Sequence, residues 1–192
     1  MHFFHPTAEW KWFLLWLLIA YLLVSIIRSR LTRKYTRLVA QFRAGTWDGL
    51  YAQCADLTQS FRLAAGGPLN RWSLTAQNNL KLICASIAYC NGDVQTFLIH
   101  LQDIKPDGTN AQRSSYLALY YRSIQDNNSA QEFYSEYMQC KVRDPDVTLI
   151  LEAAFSAEED SFDTETIRQT FSKIENPALR ALMVQNIPVL NC

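Results

Sequence analysis

The chain has 192 residues, 18 Lys and Arg against 18 Asp and Glu, and five cysteines. The odd cysteine count, at spacings that fit no zinc motif, excludes a zinc finger. No phosphate-binding loop, Rossmann glycine run, H-E-x-x-H or nucleophile elbow occurs either, so the sequence carries no catalytic constellation and implies no cofactor.

Residues 1–9, MHFFHPTAE, are nearly uncharged, and eighteen residues from Trp10 to Ile27 follow with Lys11 as their one charge. A helix of that length is about 27 Å long, close to a hydrocarbon core of about 30 Å. Trp10, Trp12 and the Lys11 stem stand at one end, where interfacial aromatics and snorkelling lysines belong. A signal peptide places its basic residues before the apolar run; here Arg28 and Arg30 come after it. Phe13 to Ile27 has no charge at all, which leaves no polar face for a core helix. Residues 10–27 are therefore expected to form a transmembrane helix. The span has no Gly and only Ala20 and Ser25 as small residues, so it lacks a small-xxx-small pairing face, which favours a simple tether.

Residues 28–43 are expected to be a basic juxtamembrane helix, with Arg28, Arg30, Arg33, Lys34, Arg37 and Arg43 and no acid. The positive-inside rule then makes residues 1–9 a short extracytoplasmic N-terminus and residues 44–192 a cytoplasmic domain of a single-pass cell-membrane protein. Arg28, Arg30, Arg33, Lys34 and Arg37 can also lie on anionic headgroups, at about 1 kcal/mol each. A cytoplasmic domain implies reduced thiols.

The rest of the chain has the length of one domain. Gly and Pro cluster at breaks: Gly66-Gly67-Pro68, Pro106-Asp107-Gly108, Pro145 and Pro177. Between them no two-residue alternation is sustained, so the domain reads as all helix. An apolar triplet at i, i+4, i+7 recurs as Leu50/Cys54/Leu57, Phe97/Leu101/Ile104, Phe133/Tyr137/Cys140 and Ile167/Phe171/Ile174, with starts 47, 36 and 34 residues apart. Gly45, Gly92 and Asn128 each stand five residues before a triplet, suited to the left-handed end of a helix. Asp93 and Ser129 then stand where an N-cap is wanted. A period near 34–36 with two helices per unit is the mark of a repeat array. Residues 126–175 hold twelve acids against Lys141, Arg143, Arg168 and Lys173, which argues against nucleic-acid binding by this end. The acids Glu158, Glu159, Asp160, Asp163 and Glu165 span a helix break and are explained by the helix dipole without a metal. His100 reads as a structural histidine. Tyr116, Tyr120, Tyr121, Tyr134 and Tyr137 mostly suit packing between helices.

On these residues the chain resembles the tetratricopeptide-repeat (TPR) proteins in a degenerate form. The best unit is LICASIAYCNGDVQTFLIHLQDIKP (82–106), with Ala85 as the small residue of the first helix and Gly92-Asp93 at the turn. YLALYYRSIQDNNSAQEFYSEYMQCKVRDP (116–145) follows and closes on Asp-Pro. Departures are Phe97, Phe133 and Ile167 in place of an alanine, and Leu38, Tyr121 and Phe155 in place of a small residue. The resemblance implies an all-α chain: a single N-terminal transmembrane helix, then a TPR-like α-solenoid of about four hairpins with a C-terminal capping helix. The hairpins are 31–44 with 46–63, 72–91 with 93–105, 110–127 with 129–142, and 147–160 with 163–174; the cap runs from Pro177 to about Gln185. Part of the first hairpin can continue the membrane helix, which sets the array directly against the bilayer.

By the same resemblance, the first helices line a concave face that holds a peptide or helix of a protein partner. In the two better units that face comprises Asn79, Leu82, Ile83, Ser86, Tyr89, Ser115, Leu119, Arg122 and Gln125. Only Asn79 and Arg122 suit a C-terminal carboxylate, so the chaperone-binding subtype is not implied. The expected function is a membrane-tethered adaptor, not an enzyme, with no small-molecule substrate. The alternative is an accessory structural subunit of a membrane complex.

Overall fold

The computed structural model describes residues 7–64, 70–104, 110–156 and 163–190. Among these residues every regular element is helical: α1 (Thr7–Arg43), α2 (Leu50–Ala64), α3 (Asn70–Cys90), α4 (Val94–Gln102), α5 (Asn110–Ser123), α6 (Asn127–Gln139), α7 (Pro145–Phe155), α8 (Thr164–Lys173) and α9 (Pro177–Asn186), then a 3₁₀ turn at Pro188–Leu190. The expected all-α class and the long apolar N-terminal helix are both present. The Gly66-Gly67-Pro68 and Pro106-Asp107-Gly108 breaks, Glu158, Glu159, Asp160 and Cys192 lie outside the described residues.

No Gly or Pro interrupts α1, so it runs unbroken for 37 residues, a length of about 55 Å. Residues 28–43 are thus no separate element but its second half. No part of its most apolar window is buried. Packing begins at Leu31: Leu31, Tyr35, Leu38, Val39 and Phe42, spaced for one helix face, meet the core of α2 and α3. Arg30, Arg33, Lys34 and Arg37 fall on the opposite face and are exposed. Arg28 differs, because its guanidinium lies 5.5 Å from the Trp72 ring centre on α3.

Three helix ends close alike. At Gly45, Gly92 and Gln125 the backbone turns left-handed, with φ of 72°, 79° and 63°. In each, the next residue's N–H reaches back to Gln41, Ala88 or Tyr121, which satisfies a last-turn carbonyl. The N-caps that follow are Asp93, whose carboxylate accepts from the Thr96 N–H, and Asp126, which accepts from the Ser129 N–H. The third turn corrects the sequence reading. Asn128 lies inside α6 and Ser129 is not a cap; Gln125 and Asp126 take those roles three residues earlier. Asp93, Asp126 and Asp163 cap α4, α6 and α8, 33 and 37 residues apart, with Asp144 capping α7 between the last two. Four residues after Asp93, Asp126 and Asp163 stand Phe97, Ala130 and Ile167, all buried.

Two cores share α3. Leu80, Ile83, Cys84 and Ile87 face α1 and α2 with Leu50, Cys54, Leu57 and Phe61. Leu82, Ala85 and Ala88 face the larger core of α4 to α9. Every residue from Lys81 to Ala88 is buried, and Lys81 is accommodated by hydrogen bonding to the Asp103 carbonyl (2.6 Å) and pairing with its carboxylate. The Cys54 and Cys84 thiols adjoin; their mutual hydrogen bond and burial push the Cys84 thiol up, and both buried side chains fill the core. His100 accepts or donates a 2.8 Å bond with the Tyr51 hydroxyl and ties α4 to α2.

α9 sits elsewhere than at the end of the last hairpin. Ala178, Leu179, Leu182, Met183 and Ile187 form its buried side, and it packs across α3, α5 and α7. Contact with three helices removes the apolar side of α9 from water.

Candidate protein-binding cleft

The nine residues expected on the concave face separate into three groups. Asn79, Leu82, Ile83 and Ser115 line an open cleft of about 430 Å³. Ser86, Tyr89 and Leu119 lie under α9. Arg122 and Gln125 are at the far end of α5, away from both.

The covered group shows how the chain fills its own face. Asn176, the N-cap of α9, donates to the Ser86 hydroxyl at 3.2 Å, and Ser86 is 2.8 Å from the Tyr116 hydroxyl. Tyr89 donates to Gln185 at 2.9 Å, and the Asn186 amide donates to the Leu119 carbonyl at 3.0 Å. The polar spots of this face are therefore answered by amides at both ends of α9, with the apolar residues between them. Tyr116 is wholly buried, and desolvation pushes its phenol up, so it acts as a neutral hydrogen-bonding post. Arg122 instead lies over the Phe155 ring at 5.0 Å from its centre, and Phe155 stacks on Tyr134 at 4.4 Å. That joins α5, α6 and α7 and sets the guanidinium on the Phe155 ring, outside the cleft lining. Gln125 is the exposed turn residue.

The open cleft continues the same face beyond the N-terminus of α9. Its floor is apolar: Val39 and Phe42 from α1, Leu82 and Ile83 from α3, Val147 from α7, and Leu179 at the start of α9. Hydrogen-bonding groups stand on the walls. The Asn79 amide donates to the Tyr35 hydroxyl at 3.0 Å, and exposed Gln112 and buried Ser115 come from α5. Two exposed ion pairs cross the mouth: Arg43 with Glu175 at 3.2 Å and Lys173 with Asp146 at 3.6 Å. The first joins α1 to the turn before α9, so the first and last parts of the domain meet over the cleft. Surface pairs of this kind contribute little to stability and open at small cost. The lining carries Arg43 and Lys173 against Asp144, Asp146 and Glu175, and the floor is apolar, a combination suited to an amphipathic segment and poorly suited to a highly charged ligand.

The contribution of α1 is what the sequence reading left unmapped. Tyr35, Val39, Phe42 and Arg43 form one wall, and their signal was the apolar stripe Leu31/Tyr35/Leu38/Phe42 running on beneath the arginines. Glu175 and Asn176 were hidden in a short interhelix turn. Among the described residues no group of acids, histidines and cysteines is arranged to hold a metal.

Compared with models of known protein families, with curated proteins and with solved structures, the chain matches none.

Proposed function

We propose that this protein is a membrane-tethered adaptor whose helical domain holds a protein partner in the cleft between α1, α3, α5, α7 and the start of α9. The observation that carries this reading is the cleft itself, open beside a helix seated on the same face. α9 supports a helical or extended partner segment with Leu-, Met- or Ile-type side chains and polar ends, because that is the chemistry the adjoining surface already buries. The resemblance to TPR proteins points the same way.

The anchor reading rests on the apolar half of α1, which is long enough to cross a bilayer and is not buried against the domain. The arginines that follow it, with no acid among them, support a cytoplasmic domain. The same bare apolar surface favours a second reading, an accessory subunit held in a membrane complex mainly through α1.

Gln112→Trp tests the first reading, because Gln112 is exposed and lines the cleft. Partner capture from membranes should fall at least tenfold with unfolding unchanged, while Val142→Trp, at a residue 74% exposed outside the cleft, should leave capture intact. Undiminished capture by Gln112→Trp would refute the cleft. Capture that survives in the cleft variant but disappears on deleting residues 1–27 favours the accessory subunit.

A further inference from the structure

We propose that a tip formed by Leu63 at the end of α2 and Trp72 near the start of α3 is a second membrane contact, with both side chains seated in the headgroup layer beside the end of the transmembrane span. This rests on the anchor reading above. Depth follows from α1 being one continuous helix. Arg28 is the first residue after Ile27 and Leu31 the fourth, so at about 1.5 Å per residue they lie within roughly 6 Å of the hydrocarbon edge. The headgroup layer itself is about 5–7 Å deep on each side.

The tip shares that depth. Arg28 lies over Trp72, and Tyr35, seven residues on, bonds Asn79, seven residues beyond Trp72. α1 and α3 therefore run parallel with Trp72 level with Arg28. α2 runs the other way: Leu50 begins beside Trp47, and Phe61 meets the Tyr35 ring at 6.4 Å and the Trp72 ring at 5.0 Å. Leu63, two residues past Phe61, then lies closer still to the bilayer. A tilt of about 20°, usual for single spans, moves a neighbouring helix 10 Å away by roughly 3 Å, which keeps the tip within the layer.

Composition agrees with that placement. Phe61 is fully buried, yet Leu63 is 81% exposed, the highest among the large apolar side chains described. A leucine so placed costs solvation in water and gains from an interface. Trp is the residue most suited to that layer. α3 has no acid, α2 has only Asp56, and Arg28 and Arg62 flank the tip, a balance that anionic lipid favours.

The test uses the full chain in vesicles of phosphatidylcholine and phosphatidylglycerol at 3:1. Cys90, Cys140 and Cys192 are replaced by serine, buried Cys54 and Cys84 are kept, and a nitroxide is attached at Leu63→Cys, Ile99→Cys or Leu18→Cys. Ile99 is 55% exposed and adjoins His100, whose partner Tyr51 stands twelve residues up α2 from Leu63. Power saturation should give the label at 63 an oxygen-to-nickel accessibility ratio clearly above that at 99 and below that at 18. An aqueous label at 63 with a lipid-embedded label at 18 would overturn the tip contact and leave the anchor standing. Aqueous labels at both positions would overturn the anchor and the tip together. A label at 63 shielded from both relaxers would mean a covering protein, and would also overturn the proposal.

Discussion

Leu182→Ala probes the seat of α9 on α3, α5 and α7. Leu182 is fully buried, in one cluster with Leu82, Leu119 and Met183. The substitution removes three carbons, worth roughly 2.4 kcal/mol at about 0.8 kcal/mol each. Any cavity that persists adds about 24 cal/mol per Å³, which places the total near 2.5–5 kcal/mol. Such a loss is a large part of the roughly 5–15 kcal/mol that holds a domain together. The full chain in mild detergent, unfolded by urea and followed by circular dichroism, should show a clearly lower midpoint. Hydrogen exchange should lose protection first over residues 177–186. Gln185→Ala is the control, because Gln185 is exposed and gives α9 only its bond to Tyr89; it should cost about 1 kcal/mol or less. A Leu182→Ala chain within 0.5 kcal/mol of the parent, with exchange at 177–186 unchanged, would refute the packing of α9 described above.

Other expectations concern single groups. Gln125→Gly should stabilise the domain by about 0.5–1 kcal/mol in the same assay, since a left-handed non-glycine costs roughly 1–2 kcal/mol and glycine returns part of that as entropy. Burial, and second the Lys81 charge, hold the His100 imidazole below its ordinary pKa. The unfolded chain then binds that proton more readily, so stability is full above the usual histidine range and falls as pH drops through it; thermal midpoints against pH should lose this slope in His100→Gln. Asp126 is held below the carboxylate range by hydrogen bonds from Ser129, so its contribution is present above that range and lost in stronger acid, a limb that Asp126→Asn should remove. Cys90 is exposed; a membrane-impermeant maleimide should leave it unlabelled in intact cells and label it after permeabilisation, and labelling of intact cells would reverse the orientation.

Periodicity and punctuation made most of the helices legible. The helices expected after residue 45 coincide with α2 to α8 within a few residues, because buried triplets such as Phe97/Leu101/Ile104 and glycine turns are local signals. The turn at 125–126 was misread for a physical reason. Asparagine adopts the left-handed conformation more readily than glutamine, so Asn128 looked better than Gln125, yet the Asp126 cap imposed the register. The cleft was only partly legible. Asn79, Leu82, Ile83 and Ser115 share the cleft because helix spacing places them on one face. That Ser86, Tyr89 and Leu119 are covered follows from α9, which lies near in space and some 60 to 100 residues distant in sequence. Arg122 looked like a contact residue because its stacking on Phe155, 33 residues on, is likewise set by tertiary packing.

The adaptor reading is tested most directly by photo-crosslinking in native membranes from position 112, which faces the cleft, against position 99, which is exposed on α4. A discrete crosslinked protein should form from position 112 and not from 99, and a second substitution at the cleft wall, Asn79→Trp, should abolish it with the fold intact. Equal products from both positions, or a product from 112 that survives Asn79→Trp, would contradict a partner seated in the cleft.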